Sequence, residues 1–330
     1  MNHICYTIIV FLHLMMFKAF SATDSGKLHT KNNKIYNEKG QVVILKGVNI
    51  ADPEQINTKP WERPNVDAKI IATKATENFY AKVVRIPVLP GKKNEREGFL
   101  NNKDSYFNNH LKPLVDDLTR KGIYVIVDLH YVSDYDKVTK EVEEFWTFMA
   151  PKFKDNPHVL YEIFNEPIRP DSWSTWKKLI ADPMYTLIRK HAPDNLILIG
   201  GPFWSSHIEE AATNAVKGTN IVYTGHIYKN QTPDQWDKLY GAVIKKHPLF
   251  ITEWGFEAGG TEGGDIEYGK KFSAWMEKHG LSWTAFAFDS KWGPRMFNDD
   301  WSLKPAPHGM GDLVKELLSL NHQNSVIKNN

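Results

Sequence analysis

A (β/α)8 barrel, an α/β fold in a single domain, is what the sequence predicts, and three observations predict it. Eight short runs rich in β-branched and aromatic residues recur along the chain, at 42–50, 80–89, 123–130, 159–166, 196–200, 221–228, 249–256 and 281–288. The intervals between them are wide enough to hold a helix, and amphipathic stretches occupy several, at 112–121, 142–153, 176–191, 233–246 and 266–279. Strand–helix alternation repeated eight times in about 250 residues is the pattern of a closed parallel barrel. Thirdly, no Gly-x-Gly-x-x-Gly follows the first run, which disfavours the doubly wound open sheet as the alternative.

The elements follow in order. Residues 1–21 carry an apolar run at 6–17 and then Lys18-Ala19-Phe20-Ser21-Ala22, with a small-x-small site after Ser21. That pattern predicts a cleaved secretory signal, the run being shorter than the roughly 20 residues a spanning helix needs. A single (β/α)8 domain is expected over 22–320. Its helices are periodic in their apolar positions and stop at glycine where Lys121-Gly122 and His279-Gly280 stand. No repeat, low-complexity tract or Pro/Ser-rich linker divides it. The polar tail at 321–330 is expected to be disordered.

Composition narrows the function. The chain carries 41 basic against 39 acidic residues, so no net field exists to steer a nucleic acid or an anionic membrane surface, and a neutral substrate fits better. The one cysteine, Cys5, lies in the expected signal, so the mature chain must be stable through packing alone. Eleven tryptophans offer flat faces suited to sugar rings, although most are expected in the core. Asn230-Gln231-Thr232 is a glycosylation sequon just after strand six, where a glycan would crowd the site, and it is expected to be bare.

In a barrel of this kind the active site forms at the carboxyl ends of the strands, and those ends are polar here. Strand one ends in Gly47-Val48-Asn49, two in Val84-Arg85-Ile86-Pro87, three in Asp128-Leu129-His130-Tyr131 and four in Phe164-Asn165-Glu166-Pro167. Five runs into Pro202-Phe203-Trp204, six ends in Gly225-His226-Ile227-Tyr228 and seven in Thr252-Glu253-Trp254-Gly255. Glu166 and Glu253 end non-neighbouring strands on one rim, so they can face one another across the barrel mouth. Such a pair suits glycoside hydrolysis, where the departing oxygen needs a proton and the anomeric carbon needs a nucleophile or activated water on its other face. A metal-dependent hydrolase on this fold would call for three or more convergent ligands, commonly an H-x-H after strand one; that motif is missing, and no metal or cofactor is expected.

These residues resemble glycoside hydrolase family 5, retaining (β/α)8 enzymes that include many endo-β-1,4-glucanases. Tyr161-Glu162-Ile163-Phe164-Asn165-Glu166-Pro167 is similar to the family's acid/base motif, and Ile251-Thr252-Glu253-Trp254-Gly255 to its nucleophile motif. The resemblance implies Glu166 as acid/base and Glu253 as nucleophile, with Arg85 beneath Glu253. It further implies Asn165 on the sugar 2-hydroxyl, His130 and Tyr228 in the same subsite, Tyr228 also reaching Glu253, and His226 near Glu166. Trp204 resembles the aromatic on the leaving-group side. Strand eight departs from the pattern, because Phe286 stands where the family usually has a tryptophan platform. Either Phe286 serves as a smaller platform or Trp292 folds back over the cleft, while Trp283 is expected to face the helices. The implied activity is that of a secreted, monomeric endo-β-1,4-glucanase acting on a β-linked polysaccharide. Mannanase, xylanase, mixed-linkage glucanase and a non-catalytic sugar-binding barrel stay open as alternatives.

Overall fold

The computed structural model describes residues 26–91, 97–229, 231–261 and 263–327. The expected signal at 1–21 and the sequon residue Asn230 lie outside the described residues. Among those described, no helix is long and apolar enough to cross a membrane.

Eight parallel strands close into a barrel: β1 Lys46–Asn49, β2 Val83–Val88, β3 Tyr124–Leu129, β4 Val159–Glu162, β5 Ile197–Ile199, β6 Ile221–Ile227, β7 Leu249–Trp254 and β8 Ser282–Ala285. Each pairs with its chain neighbour, and β8 with β1 closes the ring. Each lies within one of the eight predicted runs, but is shorter. The first part of the 42–50 run is not barrel at all. Val43 donates its N–H to Ile35, joining it to the antiparallel hairpin Leu28–Lys31 and Lys34–Asn37.

That hairpin plugs the amino-terminal end of the barrel. Leu28, Ile35 and Leu45 form one apolar cluster with Val83, Ile126, Leu160, Leu198, Val222 and Phe250 from six successive strands. Side chains alternate along a strand, so two residues further on the same inward face carries Arg85, Asp128, Glu162, Thr224 and Thr252, all buried. The interior is therefore layered, apolar below and polar above. The outward residues, such as Val84, Ile86, Val125 and Val127, pack in the large core between barrel and helices.

The helices that matter most for packing are Thr139–Met149, Asp182–His191, Pro233–Ile244, Ile266–His279 and Gly311–Ile327. The expectation of a helix after every strand needs one correction: β5 is followed only by the short turns Pro202–Ser205 and Glu209–Ala212. Gly200-Gly201-Pro202 leads the chain into a left-handed turn in place of a helix. Of the tail expected to be disordered at 321–330, the part up to Ile327 is helical instead, and 328–330 lie outside the described residues. Leu313, Val314 and Leu318 anchor that last helix in the core, and extending a nucleated helix into a polar stretch is cheap. His322 stacks flat on Tyr80, with ring centroids 4.4 Å apart.

Candidate active site

Arg85 is the hub of the polar layer. Completely buried, its guanidinium donates from Nε to Glu162 Oε2 at 2.5 Å and from Nη1 to Asn49 Oδ1 at 2.9 Å and Glu253 Oε1 at 2.7 Å. Nη2 donates to Asn165 Oδ1 at 2.7 Å and lies 3.0 Å from Asp128 Oδ2. One cation thus serves three carboxylates from β3, β4 and β7, using the fork geometry that lysine lacks.

Glu253 reaches this layer through a bulge. Gly225 of β6 pairs with Ile251, but His226 pairs with Glu253, so Thr252 is an extra residue in β7. A bulge breaks the alternation and turns consecutive side chains toward one side. Thr252 Oγ1 donates to Glu162 Oε1 at 2.7 Å and lies 3.1 Å from His226 Nε2, while Glu253 meets Arg85. Tyr228 donates its O–H to the second Glu253 oxygen at 2.8 Å. Gly255, next along, admits no side chain: a Cβ there would sit 2.3 Å from the Phe286 carbonyl oxygen.

Glu166 is placed differently. The barrel ladder of β4 stops at Glu162, and Glu166-Pro167 forms its own short parallel ladder with Val132–Ser133 above the rim. This lifts Glu166 over the polar layer, where Oε1 lies 2.9 Å from His226 Nδ1. Glu166, His226 and Glu253 each bring an atom within 4.8 Å of the others. Burial pushes the Glu166 carboxyl above its ordinary value, with His130 and Arg85 opposing. Burial also holds His226 and His130 down to about 4, so both rings are neutral at pH 7. Asp128, 2.7 Å from His130 Nδ1, is pushed up to about 7 by burial against the pull of Arg85.

The aromatic residues divide into two groups. On one side His130 stacks with Trp292 (5.4 Å, 23°) and more distantly with Phe286 (6.5 Å, 7°), so both candidates for the strand-eight platform lie beside the same ring. Trp292 donates its backbone N–H to Asp289 Oδ2 at 2.9 Å, and Asp289 is held by buried Arg63 at 2.8 and 2.6 Å. Trp283 packs edge-on to Trp254 in the core, as expected of a helix-facing residue. On the other side Trp204 lines a cleft of about 570 Å³ with Glu166, His226 and Tyr228. The ten sequence-predicted site residues are thus gathered at one end of the barrel. Asp128, Glu162 and Thr252 join the site as well, although the strand-end pattern assigns them no role. The available signal was a charged or hydroxyl residue at an inward position of an otherwise apolar strand.

Glu166, His226 and Glu253 are also the donor types a metal ion takes. Their atoms are already engaged: Arg85 and Tyr228 hold the Glu253 oxygens, and Glu166 and Thr252 meet the His226 nitrogens. An ion would have to displace these bonds beside the Arg85 charge.

Two facing carboxylates above a buried arginine, at the carboxyl end of a closed parallel barrel, are the arrangement that glycoside hydrolysis on a barrel calls for. The chain belongs to glycosyl hydrolase family 5, whose Cellulase model matches residues 36–291. It is 32% identical over 198 residues to an endoglucanase of Clostridium saccharobutylicum, covering 59% of this chain and 44% of that one. It is 27% identical over 291 residues to Endoglucanase N of Pectobacterium atrosepticum, covering 84% and 61%. The chain therefore spans about half the length of the curated relatives it matches. In fold it is similar to the catalytic domain of Thermobifida fusca endoglucanase Cel5A, with TM-score 0.76, 23% identity and 89% and 98% of the two chains covered. A Saccharophagus degradans β-glucanase solved with cellotetraose gives TM-score 0.77, 23% identity and 89% and 93% coverage.

Proposed function

We propose that this chain is a secreted, monomeric endo-β-1,4-glucanase that cuts internal bonds of cellulose or a soluble β-glucan with retention of configuration, without cofactor. The observation that carries the reading is the carboxylate pair. An oxygen of Glu166 and an oxygen of Glu253 lie within 4.8 Å, near the roughly 5–5.5 Å of retaining enzymes and too close for the water that inverting enzymes place between carboxylates about 6.5–9.5 Å apart.

The two environments suit two roles. Glu253, with Arg85 and Tyr228 donating to its two oxygens, is held in place and aimed as nucleophile. Glu166, raised by burial, keeps its proton for the departing oxygen and afterwards takes one from water. Asn165, its oxygen occupied by Arg85, has its amide N–H groups left for the sugar 2-hydroxyl. His130, Phe286 and Trp292 would line the glycone side, and Trp204 the leaving-group side. The endoglucanase names of the relatives and the cellotetraose complex of a structural neighbour favour a β-glucan. Secretion rests on the apolar run at 6–17, and sequencing the amino terminus of exported protein would test it.

Two assays test the chemistry. Carboxymethylcellulose should lose viscosity well before much reducing sugar appears; viscosity falling only in step with sugar release means exo action. With an activated aryl glycoside and azide, Glu253→Ala should yield an α-glycosyl azide by one inversion, and Glu166→Ala a β-glycosyl azide by two. The same anomer from both variants refutes the assignment.

A further inference from the structure

The turn after β5 runs through backbone conformations its residues do not favour. Phe203, Trp204 and Ser205 follow one another at φ of 56°, 57° and 54°, in the left-handed region that L-residues disfavour. None is glycine, although Gly200 and Gly201 stand just before them. Strain of this kind persists only where neighbours impose it, and it collects at ligand sites. Here Phe203 N–H donates to the Ile168 carbonyl at 3.2 Å and Ser205 Oγ donates to the Asn165 carbonyl at 2.6 Å, tying the turn to the segment that carries Glu166.

What the turn achieves is exposure of two rings. Ser205 is buried, but Phe203 is 44% and Trp204 38% exposed. The Phe203 ring is backed by His207, nearly parallel at 11° with centroids 4.6 Å apart. His207 is held in turn through Nδ1 by Asp171 at 2.8 Å. Trp204 stands edge-on to Phe203, at 4.8 Å and 81°. Both rings line the Glu166 cleft, together with His207 and Gln231. Glu166 is the group assigned to protonate the departing oxygen, so this cleft receives the leaving part of the chain.

We propose that Phe203, backed by His207, is a second sugar-stacking platform beside Trp204, binding a further β-linked glucosyl unit of the leaving chain. It rests on the hydrolase reading of Glu166 and Glu253. A flat ring backed by a parallel neighbour and still 44% exposed offers surface that can stack on the C–H face of a sugar.

The test compares cellopentaose, isotopically labelled at its reducing end, with an aryl cellobioside whose phenol is too short to occupy two leaving-side units. In Phe203→Ala, kcat/KM on cellopentaose should fall roughly 2- to 10-fold, the usual worth of one aromatic contact, and the preferred cleavage point should move. The aryl cellobioside should change less than about twofold by the same reasoning. Phe203→Tyr should restore cellopentaose cleavage. Phe203→Gly separates platform from scaffold: it relieves the left-handed strain, so its Tm should equal or exceed that of wild type while cellopentaose cleavage stays low. A lowered Tm with an unaltered cleavage pattern makes Phe203 a packing residue and overturns the proposal. So does an equal loss on both substrates, or no loss on either. Wild-type protein inactive on both substrates overturns the hydrolase reading and this one with it.

Discussion

Replacing Arg85 by methionine should make stability depend on pH in a defined direction. The guanidinium is the common partner of buried Asp128, Glu162 and Glu253, and removing one member of a buried ion pair costs about 3–5 kcal/mol at neutral pH. Arg85 lowers the carboxyl values of Asp128 and Glu162, against burial that raises them, so in the variant these carboxyls rise further and fold with protons bound. A carboxyl whose folded pKa lies above its unfolded one binds more protons when folded. Its stabilising contribution is full below the unfolded value and is lost as pH rises toward the folded one. Asp128, already at about 7 beside Arg85, carries much of this pH dependence in the wild type and adds little to the difference, whereas Glu162, newly protonated on folding, lowers variant stability by about 1.4 kcal/mol for each pH unit of rise, or up to about 3 kcal/mol between pH 5 and pH 7. Urea unfolding of wild type and Arg85→Met at both pH values measures this. The gap between them should narrow at pH 5, and Arg85→Lys, which keeps the charge, should show less narrowing. A gap that is independent of pH, or wider at pH 5, refutes the view of Arg85 as the counter-charge of this layer.

Three further outcomes follow from the site. Tyr228→Phe removes the hydroxyl 2.8 Å from Glu253, and with a bond to a charged group worth about 1.5–3 kcal/mol, kcat on an aryl cellobioside should fall roughly 10- to 150-fold; unchanged kcat excludes the contact from the reaction. In Thr252→Val the hydroxyl between Glu162 and His226 is lost. When Thr252 gives its proton to Glu162 it accepts from His226 Nε2, leaving Nδ1 to accept from protonated Glu166. Without that ordering the alkaline limb of the pH–rate profile should move down by about one unit, whereas superimposable profiles show that Thr252 does not set the ring. Trp292→Ala removes the ring stacked on His130 and should raise KM for cellotetraose roughly 2- to 10-fold with a smaller change in kcat; an unaltered KM would leave Phe286 as the platform.

Strand count, strand order and the rim that carries the chemistry were legible in the sequence, because each barrel strand is a contiguous apolar run and each site residue interrupts or ends one. The pair Glu166 and Glu253 was legible for the same reason. What the local pattern could not express is how residues distant in sequence share one centre. Glu162 sits four residues before Glu166, yet it faces inward to Arg85 while Glu166 leaves the barrel ladder for a separate one. The β7 bulge that turns Thr252 and Glu253 inward together depends on its register against β6. Whether Phe286 or Trp292 stands over the site depends on Arg63 gripping Asp289 from across 226 positions of chain. The left-handed turn at Phe203–Ser205 contradicts the preference of its own residues and exists because the segment after β4 holds it through the Asn165 and Ile168 carbonyls. Periodicity and residue type, being properties of neighbours along the chain, determined the barrel and named its strand-end polar groups; only the closed tertiary ring, which sets register and brings charges into contact, decided which carboxylate accepts from Arg85 and which stands above that layer, raised by burial.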